Sequence, residues 1–369
     1  MKSCCVERGH NYFASLYPLA GSVQEDFLAH HLIDLCKKWG KITSRVVDDI
    51  YLRSASSLRL GVNAKTGAIR CNVCGGRLDY IFIGSRLISF IWRLNMICAT
   101  YWDVFQKSDS NKMVGMTGST QWPREEQLEQ VRIALEMYFG DAPLLGTEGL
   151  EDFNKQMAGL ALGPAAVHTC VVDFAELFVL FHEIQHHIPL ATLGPKPIGL
   201  SVQLPPDLKI SPKRGNWWIT ELNNDSNSMY LLLLSAASVF VEKCGMTTSE
   251  AKTQSASLVC AGADAALQTL QTLEELRYGK VTAEAAATSA DFVRHPPSAM
   301  RRNALSLGSY SLVTGKPSDS LLGRELTDEW KMVARNVASH MKVQDYLFAA
   351  YRSWHKKAET ALPMEEMKC

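Results

Sequence analysis

The 369 residues include 38 basic and 38 acidic side chains, ten cysteines and a 47% hydrophobic share, ordinary for a folded chain. Balanced charge with no basic run or face argues against nucleic acid or an anionic membrane as the main partner. The longest clean apolar stretch, Tyr230 to Val241, has 12 residues and Ile81 to Trp102 is broken by Arg86 and Arg93, whereas a bilayer span needs roughly 20.

Taken in chain order, the start MKSCCVERGHNYF holds no apolar secretory segment. A cytoplasmic setting with free thiols is therefore expected, which leaves delivery as an effector open. Residues 21–60 carry mixed helical patterns, with His30 and His31 on a packing or surface face. Ala68 to Gly84 alternates around Gly75-Gly76, which predicts a hairpin whose second strand is Leu78 to Ile83. Cys71 and Cys74 form a lone CxxC in that hairpin, without the second pair a zinc ribbon needs. Ser85 caps a predicted helix over Arg86 to Phe105; Gln106 to Pro123 is a polar linker or loop, and Glu125 to Phe139 an amphipathic helix. Asp141 to Gly163 is irregular and Gly-rich, and Ala165 to Val172 is expected as a short strand. Further helices are predicted over Thr248–Tyr278, over Val281–Val293 and from Leu326 to Ala361, where His340 and His355 are expected at the surface. No repeat, GxGxxG, P-loop or GxSxG is present.

The chemistry concentrates at His182-Glu183-Ile184-Gln185-His186, which closes an apolar run from Val171 to Phe181. On a helix, positions i and i+4 share a face, so both imidazoles reach one metal ion with Glu183 beside them as a base for bound water. The bland alternative is a chance match at the end of a core helix. His187, a quarter-turn away, lines a cleft or lies on the surface, and Pro189 suits the helix stop. After a loop rich in Pro and Gly (Pro189 to Gly215), a helix is expected from about Trp217. It carries Glu221 and Asp225 one turn apart. Glu221 suits a third ligand and Asp225 a partner for a histidine's other nitrogen, unless the two are a solvated acidic pair at a helix N-terminus. Lastly, His295-Pro296-Pro297-Ser298-Ala299-Met300-Arg301 is a stiff corner before a new helix. It either points His295 and Arg301 at one anionic site or is an ordinary loop-to-helix junction.

HEIQH, ELNND and HPPSAMR, in this order, resemble the HExxH, ExxxD and HPPxxxR signature of the gluzincin metallopeptidases, within them the CAAX-prenyl-protease and heat-shock-endopeptidase family, over roughly residues 171–305. The resemblance implies Zn²⁺ on His182, His186 and Glu221, Glu183 as catalytic base, Asp225 as a partner behind the ligands, and His295 with Arg301 near the oxyanion. That family is embedded in the membrane, so soluble relatives with the same signature are the closer comparison. The expected fold is α+β, predominantly helical, with a zincin-like core. Residues 1–110 contribute a hairpin and edge strand, 111–310 the catalytic core and 311–369 a helical elaboration, as one compact unit. A protein or peptide substrate is expected; oligomeric state is unspecified. The alternatives are a zinc-dependent hydrolase of a small amide or natural product, and a non-catalytic binding or sensory module.

Overall fold

In the computed structural model, which describes residues 26–47, 50–55, 64–70, 75–95, 97, 125–139, 162–186, 204–305, 349, 351 and 353, the elements follow from local signals. Helix α1 spans Phe27–Lys38, capped by Asp26, whose side chain accepts from the Ala29 amide. Helix α2 spans Lys41–Val47, β1 Ile50–Ala55, β2 Ala64–Arg70 and β3 Arg77–Gly84. A helix, α3, continues from Ser85 through residue 95, and α4 spans Glu125–Phe139. Then come α5 at Leu162–Gln185, α6 at Pro212–Cys244, α7 at Thr248–Tyr278, α8 at Ala283–Thr288 and α9 over residues 298–305. Among the described residues the protein is predominantly helical with one three-stranded sheet, an α+β arrangement. Among the described residues no helix is long and apolar enough to cross a membrane.

Several sequence-based expectations need correction. The β2–β3 hairpin is present and antiparallel, pairing Arg70 with Arg77 and Ala64 with Ile83. However, β3 is the central strand, flanked by β1 and β2. Strand β1, parallel to β3 and paired Ile50 to Asp79, lies in a region expected to be helical. No Gly or Pro separates it from α2, and its Arg53 is buried against Asp26 at 3.1 Å, so surface alternation is missing. The expected strand at Ala165 to Val172 is helical instead, because α5 starts at Leu162. Short apolar runs do not distinguish a buried helix from a strand by periodicity, and Pro164 sits in the first turn, where no amide partner is lost. Helix α6 begins at Pro212 and not near Trp217, with Ser211 as its N-cap and Gly215 buried inside it. Helix α8 stops at Thr288, short of the expected Val293. Donors from α6 take carbonyls there: Arg214 bonds to Ala286 O at 3.1 Å and also to Ala287 O, and Trp218 Nε1 donates to Phe292 O at 2.9 Å. Phe292 thereby packs with Trp218, Ala286 and Ala287 in a small second core.

Helix α5 is the central element. From Val171 to His182 every residue is buried, and it packs on α1, α6 and α7. Its two buried acidic side chains, Asp173 and Glu176, reach toward α1 and the Trp39 that follows it. Asp173 accepts from Trp39 Nε1 at 3.0 Å and from Lys38, and Glu176 is 2.8 Å from His31 Nε2. Burial pushes the Glu176 carboxyl up to about 7 while His31 pulls it back. His31 is thus a half-buried partner, neither pure packing nor free surface, whereas the adjacent His30 is exposed and reaches only its own helix's Asp26 carbonyl.

Cys71, Cys74, His187, Pro189, His340, His355, the linker at 106–123 and most of the irregular stretch at 141–163 lie outside the described residues, as do the C-terminal helices except at 349, 351 and 353.

Helix α5 crosses α7 at backbone contact at Gly262. A Cβ there would stand 2.5 Å from Phe174 Cβ and 2.9 Å from the Ala175 amide nitrogen, and backbone is not free to yield. Gly262→Ala is expected to lower stability by about 1–3 kcal/mol through overpacking, read as a fall in the denaturation midpoint. An unchanged midpoint would contradict this tight crossing.

Candidate metal centre

The site forms where the C-terminus of α5, the middle of α6 and the corner before α9 meet. Helical spacing puts His182 and His186 one turn apart on α5, with ring centroids 5.2 Å apart. Because α6 starts at Pro212, Glu221 and Asp225 fall in its interior. Both are buried, at 5% and 1% exposure, which rules out the solvated acidic pair.

His182 Nε2 lies 3.1 Å from Glu221 Oε2, and His186 Nε2 lies 3.4 Å from Glu221 Oε1. One ligand atom from each of His182, His186 and Glu221 falls within 4.8 Å of the others, so the group can hold a metal ion. Bonds of about 2.0–2.1 Å in tetrahedral geometry require ligand separations of about 3.3–3.4 Å; the two contacts, made by different Glu221 oxygens, lie near that spacing, while one ligand atom from each residue spreads over up to 4.8 Å. Donor chemistry fits as well: two imidazoles and a carboxylate suit a borderline divalent ion.

Each ligand is oriented from behind. His182 Nδ1 donates to Asp225 Oδ1 at 2.8 Å, leaving Nε2 directed at Glu221. The Asn224 amide is 3.2 Å from His186 Nδ1. The contact comes from Asn224 Nδ2, an N–H donor that also lies 3.5 Å from His186 Nε2. His295 Nδ1 lies 2.9 Å from Glu221 Oε2, and its side chain is 61% exposed.

Arg301, expected near an oxyanion together with His295, borders the same cavity as His295 and is bound to Asp225. It is buried, and donates from Nε to Asp225 Oδ2 at 2.8 Å and from Nη2 to Asp225 Oδ1 at 2.7 Å. The guanidinium thus braces the carboxylate behind His182. The corner itself is tied to α7, since the Ser298 amide and hydroxyl donate to Glu274 at 2.8 and 2.6 Å.

Electrostatics follow these contacts. Burial disfavours charge on His182, but Asp225 and Glu221 outweigh it and push the imidazole up to about 10. A metal ion therefore competes with a proton at this ring. Burial would raise Glu221 and Asp225, yet hydrogen bonds and charges from His182 with His295, and from Arg301 with His182, hold the two carboxyls below the usual range. Glu183 has no such donors, and burial raises its carboxyl.

A cavity of about 320 Å³ opens onto His182, Glu183 and His295. Its walls are largely apolar, including Leu87, Tyr138, Phe178 and Leu273, and Ala64 at the start of edge strand β2 borders it.

Asn224 and Glu274 were not singled out from the sequence. Asn224 was legible as the residue beside Asp225 on the same helix; Glu274 carried no signal, because its partner is 24 positions away. Asp225→Asn is expected to weaken metal affinity about 10–100-fold, measured by chelator competition on the folded protein, and also to lower stability, because the buried Arg301 loses its counter-charge. Unchanged affinity would remove Asp225 from any role in orienting His182.

No protein-family model matches the chain, and neither a curated protein nor a solved structure is found similar to it.

Proposed function

We propose that this protein is a zinc-dependent metallopeptidase of gluzincin type, with a zincin-like core built on α5 and α6. The observation that carries this reading is the convergence of His182, His186 and Glu221 with Glu183 at the edge of an apolar cavity. It supports the resemblance of HEIQH, ELNND and HPPSAMR to the signature of soluble relatives of the CAAX-prenyl-protease and heat-shock-endopeptidase family. Zn²⁺ on the triad would supply Lewis acidity, acidifying water and polarising a carbonyl oxygen.

The chain's own groups divide the remaining work. Glu183 accepts the proton of the attacking water and delivers it to the leaving amine. His295, beside Glu221 and exposed to the cavity mouth, stabilises charge developing on the carbonyl oxygen. Arg301 acts through Asp225, holding His182 in one tautomer and orientation. A peptide fits better than a small amide because Ala64 brings edge strand β2 to the cavity, and an edge strand binds an extended backbone by strand addition.

The test pairs metal analysis by mass spectrometry with cleavage of a peptide library. Wild type and Glu183→Gln are expected to hold about one zinc per chain and Glu221→Ala none. Turnover by Glu183→Gln is expected to fall about 10²–10⁴-fold. Wild-type turnover in Glu183→Gln would end its assignment as base, and zinc retained by Glu221→Ala would end the ligand assignment. Cleavage of arylamides but of no peptide would favour the small-amide hydrolase.

A further inference from the structure

A basic and aromatic cluster links the start of α6 to the corner before α9. Lys213 Nζ lies 5.0 Å from the centroid of the Trp217 ring, and the Arg294 guanidinium carbon lies 5.9 Å from it. Both cations are exposed and Trp217 is half-buried. Arg301 is bound to Asp225, Arg302 to Asp264 and Arg214 to the carbonyls of Ala286 and Ala287, while Arg277, which borders the cavity, lies 5.1 Å from the centroid of the Tyr278 ring. Lys213 and Arg294 make no ion pair with a carboxylate among the described residues, Asp207, Glu284 and Asp291 included. The indole face holds the two charges by cation–π attraction and leaves their N–H donors open to an anion.

The cluster is joined to the site at two points. Trp217 precedes Glu221 by one turn on the same face of α6, and Arg294 is adjacent to His295. One turn is about 6 Å along the helix, or about two residues of extended peptide at roughly 3.3 Å each. We propose that Lys213, Trp217 and Arg294 form an anion-binding subsite that takes an Asp or Glu side chain of the peptide, about two residues from the bond cleaved. The location of that bond rests on the peptidase reading; recognition of the acidic side chain does not. A single-stranded nucleic acid is disfavoured because it needs a track of cations and stacking rings along its backbone, and here one ring and two charges stand in an otherwise neutral chain.

The test measures binding by the full-length Glu183→Gln protein, so that turnover does not interfere. Two fluorescein-labelled ten-residue peptides are compared, identical around a central Leu-Phe except for Glu or Gln two residues to either side of it. The Glu peptide is expected to bind about 5- to 10-fold more tightly at low salt, the yield of two partly exposed charge pairs, and less so as salt rises. Adding Lys213→Ala and Arg294→Ala, both at exposed positions, is expected to abolish the preference, while Arg294→Glu shifts it towards a Lys peptide. Equal affinities, no binding of either peptide, a preference that survives the double substitution, or tighter binding of oligo(dT) would each overturn the subsite. A Glu preference in a protein that takes up no zinc would defeat the peptidase reading and leave the subsite standing. A zinc-loaded protein without the preference would defeat the subsite alone.

Discussion

An ionised Asp225 with 1% of its surface exposed is the constraint on which the site depends. A carboxylate that deep is tolerated only when its oxygens are paired, because desolvation otherwise costs several kcal/mol. Arg301 supplies two donors in fork geometry and His182 a third. Meeting that requirement fixes three elements together: α5 through His182, α6 through Asp225 and α9 through Arg301. The ligand geometry is therefore a consequence of how the helices pack, and does not rest on the ligands alone. Removing one partner would leave a buried charge unmatched, so the placement of the candidate ligands depends on the ion pair.

The same logic extends outward by one layer. Helix α7 supports the site from two directions: at Gly262 it lets α5 approach to backbone contact, and at Glu274 it binds the first residue of α9. Asp173 and Glu176, on the same helix as the histidines, anchor α5 to α1. A reacting group needs to be held within a fraction of an ångström, and α5, clamped on several sides, provides that rigidity for His182 and Glu183. The polar cluster meets an apolar cavity at these two residues, so charged and hydrophobic recognition stand side by side.

Local signals carried much of this. HEIQH at i, i+4 spacing, Glu221 and Asp225 at the same spacing, and the HPP corner each specified which side chains share a face, and the structure brings all three segments together. Thr248–Tyr278 was legible from its composition, and its capping box at Thr247 and Glu250 explains where it starts. Ser211-Pro212 was an equally good start signal for α6, but Gly215 masked it. What local patterns do not encode is partner choice across the chain. Arg301 reads as a donor for an anionic site, which it is, yet the anion is Asp225, 76 positions away. Strand β1 was obscured for a similar reason: its buried Arg53 is neutralised by Asp26, and no alternation records that pairing. Nor does any charge run announce the cluster at Trp217, because Lys213 and Arg294 come from segments joined only by folding.

The central claim is that His182, His186 and Glu221 converge on one metal ion, and zinc-edge X-ray absorption of the zinc-loaded protein tests it most directly. The account predicts a first shell of nitrogen and oxygen only, at about 2.0–2.2 Å, with the multiple-scattering signature of two imidazoles. A chain with ten cysteines offers an alternative. Sulfur scatterers at about 2.3 Å, or no bound zinc to observe, would contradict it.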